Sequence, residues 1–284
     1  MNIEHVVSVE NMRQSDAKTI ENGITSAELM HRAAMGIFNA AKFTGKVAVV
    51  CGSGNNGGDG YALACILCEN GFTPTIFRTS GRFSKDGLFY YKTALSMGAV
   101  EESLNAPNPF TGYDIVVDCI LGTGFSGEVS EDIKRVIDEI NACQSFIISA
   151  DINSGINGDT GVAPVAVNSD LTVSIGYLKT GMFLNDAPYY IDKLRNVDIG
   201  ISLLHEEYKL ADYEMLHMFE GYNSVSMTIE EFYDRFGFTP QDGGIAEKAA
   251  QLSAEQGKTI VIKTAHSAVI ADIKYVYFCA DYII

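Results

Sequence analysis

Short apolar runs alternate with helical patterns along the first two thirds of the chain. Five runs rich in valine and isoleucine predict buried strands, at residues 46–52, 73–79, 114–121, 145–152 and 171–178. The segments between these runs repeat apolar residues at helical spacing. Strands that alternate with helices are typical of a parallel sheet with helices on both faces. The pattern therefore predicts an α/β fold, a Rossmann-like three-layer sandwich around a mainly parallel sheet.

A helical region precedes the first of these strands. Residues 12–41 predict helix in two pieces, which are separated near Asn22 and Gly23. Ser26 is the expected N-cap of the second piece, because apolar residues recur at helical spacing directly after it.

The pattern changes after about residue 205. Residues 210–244 are more polar and show no strand signal, residues 245–257 predict a helix, and residues 258–284 predict two strands. The turn between these two strands is expected near Asp272 to Lys274. We therefore divide the chain into a domain at residues 1–210 and a small α+β appendage at residues 211–284.

Composition and charge exclude several classes of function. Hydrophobic residues make up 47% of the 284 residues and charged residues 20%, as in an ordinary globular protein. The net charge of −16 argues against a nucleic-acid partner, because phosphate backbones are bound by clustered Lys and Arg. No apolar stretch approaches the roughly eighteen residues of a membrane span, and the N-terminus lacks the pattern of a signal peptide.

The cysteines point to a reducing compartment. The six cysteines are scattered, and most of them lie in apolar runs. Cys65 and Cys68 form a CxxC pair, but it falls inside a predicted helix and has no second pair beside it, as a zinc site would need. We expect buried, reduced thiols and a cytoplasmic protein.

Four of the predicted strands end in polar, glycine-rich loops. These loops are SGNNGGDG at 53–60, DCILGTGFSGEVS at 118–130, DINSGINGDTG at 151–161 and LKTGMF at 178–183. Turns and helix caps would explain any one of them. Ligands of open α/β sheets bind outside the carboxyl ends of the strands, so four such loops at one edge predict a binding site there.

The first loop is suited to a phosphate group. Its glycines fit the spacing G-x-G-x-x-G, but Asn55 and Asn56 change the donor set, and no Walker A lysine follows. Glycines let a phosphate approach the N-terminus of the next helix closely, and asparagines add amide donors and oxygen acceptors. The carboxylate of Asp59 would repel a phosphate unless it caps the helix or faces a cation or a hydroxyl.

A second chemistry is indicated by three oxygen-bearing residues at the strand ends. Asn56, Asp118 and Ser154 offer hard oxygen ligands, which suit a hard cation better than zinc. Too few carboxylates are present for a strong calcium site, so a weakly held monovalent ion is the reasonable choice. The alternative is that these residues only close turns and cap helices.

Three of these loops resemble the signature loops of the YjeF N-terminal domain family, in order and in spacing. The matching segments are 52–60, 118–128 and 151–161, within a resemblance that covers roughly residues 10 to 205. The resemblance implies an isomerase that interconverts the R and S epimers of NADHX and NADPHX. These are damaged cofactors in which water has added across a ring double bond at C6, and an NAD(P)H-hydrate dehydratase then repairs them.

The resemblance also implies the roles of individual residues. It implies that the substrate is bound by Asn55, Asn56, Gly57, Gly58, Asp59, Gly122, Thr123, Gly124, Phe125, Ser126, Gly127, Glu128 and Asp151. It implies a potassium ion held by Asn56, Asp118 and Ser154, in agreement with the hard oxygens found there. A homodimer is usual in the family and is expected here.

A mechanism follows as a hypothesis. To invert C6, either the hydroxyl leaves and returns on the other face, or the ring opens and closes again. Both routes need a proton donor and acceptor, and Asp151 is our candidate catalytic residue because burial can raise the pKa of a carboxyl toward working pH. Lys179 either adds positive charge near the phosphates or is a solvated surface lysine.

One departure from the family pattern concerns the loop after the fourth predicted strand. The family usually has proline where this chain has Asn153. Asparagine can adopt the backbone shape that this loop requires, but we expect the loop to lose rigidity.

The C-terminal segment weakly resembles a helix–strand–hairpin fragment of the NAD(P)H-hydrate dehydratase domain. The chain ends at Ile284, before the loop expected to carry dehydration chemistry, so we expect no dehydratase activity. Residues 211–284 are then a truncated remnant, an independent appendage or a dimerisation element. The final apolar strand should pair within a sheet, in this chain or across a dimer.

Two other functions compete with the epimerase. One is a non-catalytic nucleotide-binding or dimerisation scaffold of the same fold, and the other is an enzyme for another nucleotide-like substrate. The joint presence of Asn56, Asp59, Asp118, Asp151 and Ser154 favours catalysis over a scaffold. The preference between NADHX and NADPHX is left open by the sequence.

Overall fold

The computed structural model describes residues 4–221 and 223–284. Its strands are β1 (His5–Val7), β2 (Val47–Cys51), β3 (Thr75–Arg78), β4 (Val100–Glu102), β5 (Ile115–Cys119), β6 (Phe146–Ala150), β7 (Leu171–Ile175), β8 (Leu178–Lys179), β9 (Leu194–Val197), β10 (Tyr208–Leu210), β11 (Ser224–Thr228), β12 (Thr259–Lys263), β13 (Ser267–Ala271) and β14 (Val276–Ala280). Its α-helices are α1 (Val9–Glu21), α2 (Ser26–Ala40), α3 (Asn55–Glu69), α4 (Lys85–Ser96), α5 (Glu131–Ala142), α6 (Leu216–Phe219), α7 (Ile229–Phe236) and α8 (Ile245–Gln256).

A parallel sheet forms the first half of the structure. Its strand order is β4-β3-β2-β5-β6-β7-β9, and every neighbouring pair is parallel. The five strands predicted from apolar runs are β2, β3, β5, β6 and β7, so the predicted fold class is confirmed. The two edge strands escaped prediction because β4 is exposed at all three residues and β9 reads Leu-Arg-Asn-Val, without an apolar run.

Alternating side chains of each central strand pack against the two helical layers. In β2, Val47, Val49 and Cys51 join the cluster under α2 and α3, while Ala48 and Val50 join the cluster under α5. The three-layer arrangement therefore follows from strands that are apolar on both faces.

The N-cap prediction for α2 is wrong by one residue. Thr25 is the N-cap: its backbone is extended and its side-chain oxygen accepts a hydrogen bond from the Glu28 N–H at 3.1 Å. Ser26 is the first helical residue. Both residue types favour caps, so helical periodicity alone did not separate them. The break between α1 and α2 lies where it was predicted.

A second, mixed sheet has the order β11-β12-β13-β14-β10-β1-β8. The expectation that residues 210–244 lack a strand is wrong, because β11 pairs with β12 in parallel. The segment 258–284 holds three strands where two were predicted. The turn near Asp272 is confirmed, since the Asp272 carboxylate accepts hydrogen bonds from the N–H groups of Lys274 and Tyr275.

The second sheet takes strands from both sides of residue 210. Strands β1, β8 and β10 precede that residue, and β11 to β14 follow it. Helices α7 and α8 cover one face, where Phe232, Ala249 and Leu252 belong to the same core as Ile260 and Phe278. The division into domains at residues 210 and 211 stays a prediction, but the two segments share one sheet and one core.

Segment 178–194 joins the two halves. The Ser267 hydroxyl donates a hydrogen bond to the Phe183 carbonyl at 2.5 Å, and the Tyr282 hydroxyl donates one to the Met182 carbonyl at 2.7 Å. The backbone of Leu194, in the parallel sheet, is also hydrogen-bonded to Tyr282 and Ile284. Among the described residues, no helix is both long enough and apolar enough to span a membrane.

Candidate active site

A cleft of about 650 Å³ lies at the carboxyl edge of the parallel sheet. The loops after β2, β5 and β6 form one side, and α1 and α2 form the other. The predicted substrate-binding residues that line it are Asn55, Asn56, Asp59, Gly122, Thr123, Gly124, Phe125, Ser126 and Asp151. Three of the four strand-end loops predicted to form the site thus line one cleft, as the rule for open α/β sheets predicts. The fourth, at 178–183, does not line it, although Lys179 is paired with Asp151.

Four predicted residues do not line the cleft. Gly57 and Gly58 are buried, and a Cβ atom would lie 2.1 Å from the Gly52 carbonyl oxygen at Gly57 and 2.4 Å from the Met30 methyl group at Gly58. These two glycines therefore allow close packing within the protein. Gly127 and Glu128 are exposed beside the cleft.

The N-terminus of α3 opens toward the cleft without a capping side chain. The N-cap is Gly54, which has no side chain to accept a hydrogen bond, and the first turn of the helix holds no acidic residue. The first N–H groups of any α-helix have no intrahelical acceptor, and they lie at the positive end of the helix dipole. This 15-residue helix therefore presents an anion-binding terminus beside Asn55 and Asn56.

Asp118, at the end of β5, is fully buried and accepts four hydrogen bonds. One oxygen accepts from the Ser154 hydroxyl at 2.5 Å and the Ile120 N–H at 3.2 Å; the other accepts from the Ser154 N–H at 2.9 Å and the Ser149 hydroxyl at 3.0 Å. Burial raises the pKa of Asp118, and the hydrogen bonds from Ser154, Ile120 and Ser149 oppose that rise. The carboxyl ties the ends of β5 and β6 together.

Of the three residues predicted to hold potassium, Asn56 and Ser154 both contact Leu121, and Ser154 also contacts Asp118. The Asn56 amide donates to the Leu121 carbonyl at 2.9 Å, and the Ser154 hydroxyl accepts from the Leu121 N–H at 2.8 Å. The Asn56 side-chain oxygen is buried and has no partner among the described residues. A buried hard oxygen without a hydrogen-bond partner suits a potassium ion, whereas the oxygens of Asp118 and Ser154 already take part in hydrogen bonds. The described residues contain no group of three or more His, Cys, Asp or Glu that could hold a metal ion.

Asp151 is held in an uncommon backbone conformation by an ion pair. Its φ is +66°, in the left-handed region that few non-glycine residues adopt. One carboxylate oxygen accepts a hydrogen bond from the Lys179 ammonium, and the other accepts a long one from the Thr123 N–H at 3.4 Å. The carboxylate thus lies at the cleft with its orientation fixed by β8.

Lys179 is fully buried, so its interpretation as a solvated surface lysine is wrong. Besides Asp151, its ammonium donates to the Ile175 carbonyl at 2.9 Å and the Ser174 hydroxyl at 3.3 Å. The residue precedes the glycine-containing segment TGMF, and nothing in that pattern separates a buried lysine from an exposed one.

Asp59 and Asp16 bring two more carboxyl groups to the cleft. Burial raises the pKa of Asp59 well above its usual range, and the charges of Asp151 and Asp16 raise it further, while Lys179 opposes them. Burial also raises the pKa of Asp16, with a smaller effect from Asp151. Asp59 does not cap α3, because the N-cap position is Gly54.

Sequence reasoning missed the wall that α1 contributes. Val9, Met12, Arg13 and Asp16 line the cleft at helical spacing, which places them on one face of α1. The helical spacing could have revealed this wall, because it places Asp16 on the same face of the helix as the apolar residues Val9 and Met12. Helix α1 is held over the site by its N-cap, Ser8, whose N–H and hydroxyl donate to the Glu207 carboxylate at 2.6 and 2.9 Å.

Apart from Ser26, the rest of that wall is apolar. Its residues come from α2, from the end of β7 and from the segment after β9: Leu29, Met30, Ala33, Ile175, Ile199 and Ile201. The cleft therefore has one polar side at the strand ends and one apolar side facing it, an arrangement that suits a ligand with both a ring and charged groups.

The Asn153 side chain is held by hydrogen bonds from both ends of its amide. Its side-chain amide donates to the Val167 carbonyl, the Ser169 hydroxyl and the Tyr190 carbonyl at 2.8–2.9 Å. Its side-chain oxygen accepts from the Thr172 hydroxyl at 2.5 Å. All four bonds are buried or half-buried, so they anchor the loop that carries Asp151 to β7 and to the segments that precede β7 and β9.

Comparison with known proteins identifies related sequences. The family model described as YjeF-related protein N-terminus matches residues 26–181, a range that contains every predicted site residue and Lys179 but not α1. A bifunctional NAD(P)H-hydrate repair enzyme Nnr of Coxiella burnetii is 36% identical over 202 residues, 67% of this chain and 40% of that protein. An NAD(P)H-hydrate epimerase of Lentilactobacillus buchneri is 34% identical over 204 residues, 69% of this chain and 94% of that protein.

A solved structure shares the fold. The crystal structure of the yeast protein ynu0 is similar with a TM-score of 0.56 and 23% sequence identity, over 66% of this chain and 84% of that one. The chain thus spans less than half of the bifunctional relative and nearly all of the shorter one, and in both cases the similarity covers about two thirds of this chain.

Proposed function

The chain belongs to the family of YjeF-related protein N-termini, and we propose that it is an NAD(P)H-hydrate epimerase that interconverts the R and S forms of NADHX and NADPHX. The observation that carries the proposal is the pairing of Asp151 with the buried Lys179 at the cleft, beside the uncapped N-terminus of α3. A proton-transfer group and an anion-binding terminus are the two features that epimerisation of a dinucleotide requires.

The cleft has a suitable place for each part of the substrate. The pyrophosphate would lie at the N-terminus of α3, between Asn55, Asn56 and the loop 122–128. The reduced ring would lie against the apolar wall, with Leu29 and Ile175 on that side. This placement brings the C6 hydroxyl toward Asp151, at the reacting end of the cleft.

Asp151 then serves the proton transfers at C6. Whether the hydroxyl leaves and returns or the ring opens and closes, one proton must be taken up and one supplied. The buried ammonium of Lys179 fixes the Asp151 carboxylate in place, so little reorganisation is needed during the reaction.

We propose that Asn56, Asp118 and Ser154 hold a potassium ion. The unpartnered Asn56 oxygen and the oxygens of Asp118 and Ser154 support this assignment. The ion would supply positive charge that steadies the loops after β2, β5 and β6. The chain's own residues would carry out the proton transfers.

We also propose a partner enzyme, a cellular compartment and an oligomeric state for this protein. We expect an NAD(P)H-hydrate dehydratase to consume the epimer that this protein supplies, and the relatives named bifunctional NAD(P)H-hydrate repair enzyme Nnr support a place in cofactor repair. The six free cysteines suit the cytoplasm, and a homodimer is expected. Substrate preference between NADHX and NADPHX can be measured in the assay below.

A coupled assay tests the function. The protein is mixed with R-NADHX, potassium and an excess of S-specific dehydratase, and the return of NADH absorbance is followed. We expect the R form to be recovered faster than it epimerises spontaneously, and Asp151→Asn to slow recovery by about 10²- to 10⁴-fold. Asp138→Asn, an exposed change on α5, is the matched control and should act like the wild type.

Two results would count against the proposal. Recovery at the spontaneous rate, with the fold intact, would refute the epimerase and favour a non-catalytic scaffold. Recovery at the wild-type rate by an Asp151→Asn protein that binds the substrate would refute the role of Asp151.

A further inference from the structure

Three carboxyl groups face the cleft, and their surroundings differ. Asp151, from the loop after β6, is paired with the Lys179 ammonium. Asp59 from α3 and Asp16 from α1 receive no hydrogen bond from any described residue. The cluster therefore contains one carboxylate that is paired with an ammonium group and two carboxyl groups that have no hydrogen-bond partner among the described residues.

An unpartnered carboxylate in this position is costly. Asp59 on α3 is half-buried at the cleft, so the water that could stabilise its charge is restricted. Burial raises its pKa well above the usual range, and two neighbouring aspartates add repulsion. The Lys179 ammonium lowers the pKa of Asp59, but that ammonium is already bound to Asp151.

The other titratable groups near Asp59 do not supply a counter-charge. Burial raises the pKa of the Cys51 and Cys119 thiols well above their usual range, so both are neutral. Burial also raises the pKa of Tyr90 on α4, which stays protonated as well. The groups that face Asp59 from β2, β5, α4 and α1 therefore supply no counter-charge that would favour its ionised form.

We propose that Asp59 is the proton-carrying general acid of the cleft and that Asp151 is its general base. The proposal rests on the epimerase function proposed above and extends it to a second catalytic residue. Two carboxyl groups with opposite protonation states give an enzyme a donor and an acceptor at the same pH.

The hydroxyl-exchange route is balanced with this pair. Asp59 gives its proton to the C6 hydroxyl, the C–O bond breaks with its electron pair going to the departing water, and the ring nitrogen lone pair forms a C=N bond. Water then adds to the other face of C6 and gives a proton to Asp151. One proton has left Asp59 and one has reached Asp151, and transfer back between them restores the enzyme.

The ring-opening route uses the same two groups. Asp151 takes the proton of the C6 hydroxyl while the C6–N bond breaks, and Asp59 gives a proton to the ring nitrogen. Rotation about the C5–C6 single bond then presents the other face of the aldehyde carbon to the ring nitrogen, and reclosure reverses both proton transfers. The assignment of Asp59 and Asp151 is therefore independent of the route.

The substitution Asp59→Asn tests the assignment. Asparagine keeps the shape and the hydrogen-bonding donor of a neutral carboxyl group but cannot release a proton. We expect kcat to fall by about 10²- to 10⁴-fold, with NADHX binding within about threefold of the wild type by titration calorimetry. A purely structural or binding role would predict full kcat, because the neutral amide replaces a neutral acid.

A second measurement does not depend on activity. Infrared difference spectra of wild type minus Asp59→Asn at neutral pH should show the C=O band of a protonated carboxylic acid. A spectrum that shows only ionised carboxylate, or an Asp59→Asn enzyme with wild-type kcat, would overturn the inference. Failure of the wild-type protein to epimerise would instead refute the proposed function, and Asp138→Asn remains the control for both measurements.

Discussion

Two carboxyl groups near the same sheet edge have opposite environments. Asp118 lies at the end of β5, is fully buried and accepts four hydrogen bonds. Asp59 lies in the first turns of α3, faces the cleft and accepts none from the described residues. Burial raises the pKa of both groups, yet only in Asp118 do hydrogen bonds to the carboxylate oppose the rise.

The difference distinguishes a carboxyl group with a structural role, Asp118, from one that is available for proton transfer, Asp59. A carboxyl group whose oxygens are all engaged fixes the loops around it, and a proton could join it only by breaking those bonds. A carboxyl group that is desolvated and unpartnered is available to exchange protons with a ligand. The same distinction applies to Asn153, which has every amide atom engaged, and to Asn56, whose oxygen has no partner in the part of the chain that the structure describes.

The largest expected effect is on stability. Asp118→Ala leaves the donors of Ser154, Ser149 and Ile120 without an acceptor and should lower the free energy of unfolding by about 3–5 kcal/mol. Asp59→Asn, the matched change at the unpartnered carboxyl, should not lower it at neutral pH. Denaturant unfolding measures both, and equal losses would contradict the comparison.

A smaller loss is expected at Asn153. Asn153→Ala removes the four hydrogen bonds that anchor the loop and should destabilise the protein by about 1–3 kcal/mol. Asn105→Ala, at an exposed position, should change stability by less than about 0.5 kcal/mol. A loss at Asn153 no larger than at Asn105 would show that the loop does not depend on this amide.

The pH dependence of stability sharpens the contrast further. Because the pKa of Asp59 is raised in the folded state, folded wild type binds this proton more tightly than the unfolded chain. The contribution of this proton to the free energy of unfolding should therefore be complete below about pH 4 and be lost as the pH rises toward the folded-state pKa of Asp59. Asp59→Asn lacks this loss, so its stability relative to wild type should grow by up to about 1.4 kcal/mol per pH unit in that window.

Urea unfolding at several pH values measures this difference. A relative stability that is constant from pH 4 to 8 would mean that Asp59 is ionised in the folded protein. Asp138→Asn should give a constant difference over the same range, because that carboxyl is exposed.

The smallest effect compares two adjacent hydroxyl groups. Thr25 caps α2 through a hydrogen bond from the Glu28 N–H, while Ser26 lines the cleft. Thr25→Ala should cost about 1 kcal/mol of stability and Ser26→Ala less than about 0.5 kcal/mol. Thermal unfolding of the two variants would decide, and a larger loss at Ser26 would reverse the cap assignment.

The sequence was informative where a pattern is local. Each of the five predicted strands is a continuous apolar run, and the loops after β2, β5 and β6 carry their glycines and polar residues in adjacent positions. Those features follow from burial on both faces and from turn chemistry within a few residues.

The remaining features depend on contacts between distant segments. The second sheet joins β1, β8 and β10 to strands near the end of the chain, and β1 and β8 have only three and two residues. The burial of Lys179 and the approach of Asp16 follow from that assembly, because β8 carries Lys179 and β1 leads into α1. No local pattern reports such pairings.

The most direct test is a crystal structure of the Asp151→Asn protein with NADHX and potassium. We expect the pyrophosphate to lie at the N-terminus of α3, and the C6 oxygen to lie within about 3 Å of both Asp59 and residue 151, directly or through one water. A reduced ring bound away from Asp59 and residue 151, with its C6 oxygen in bulk solvent, would contradict it.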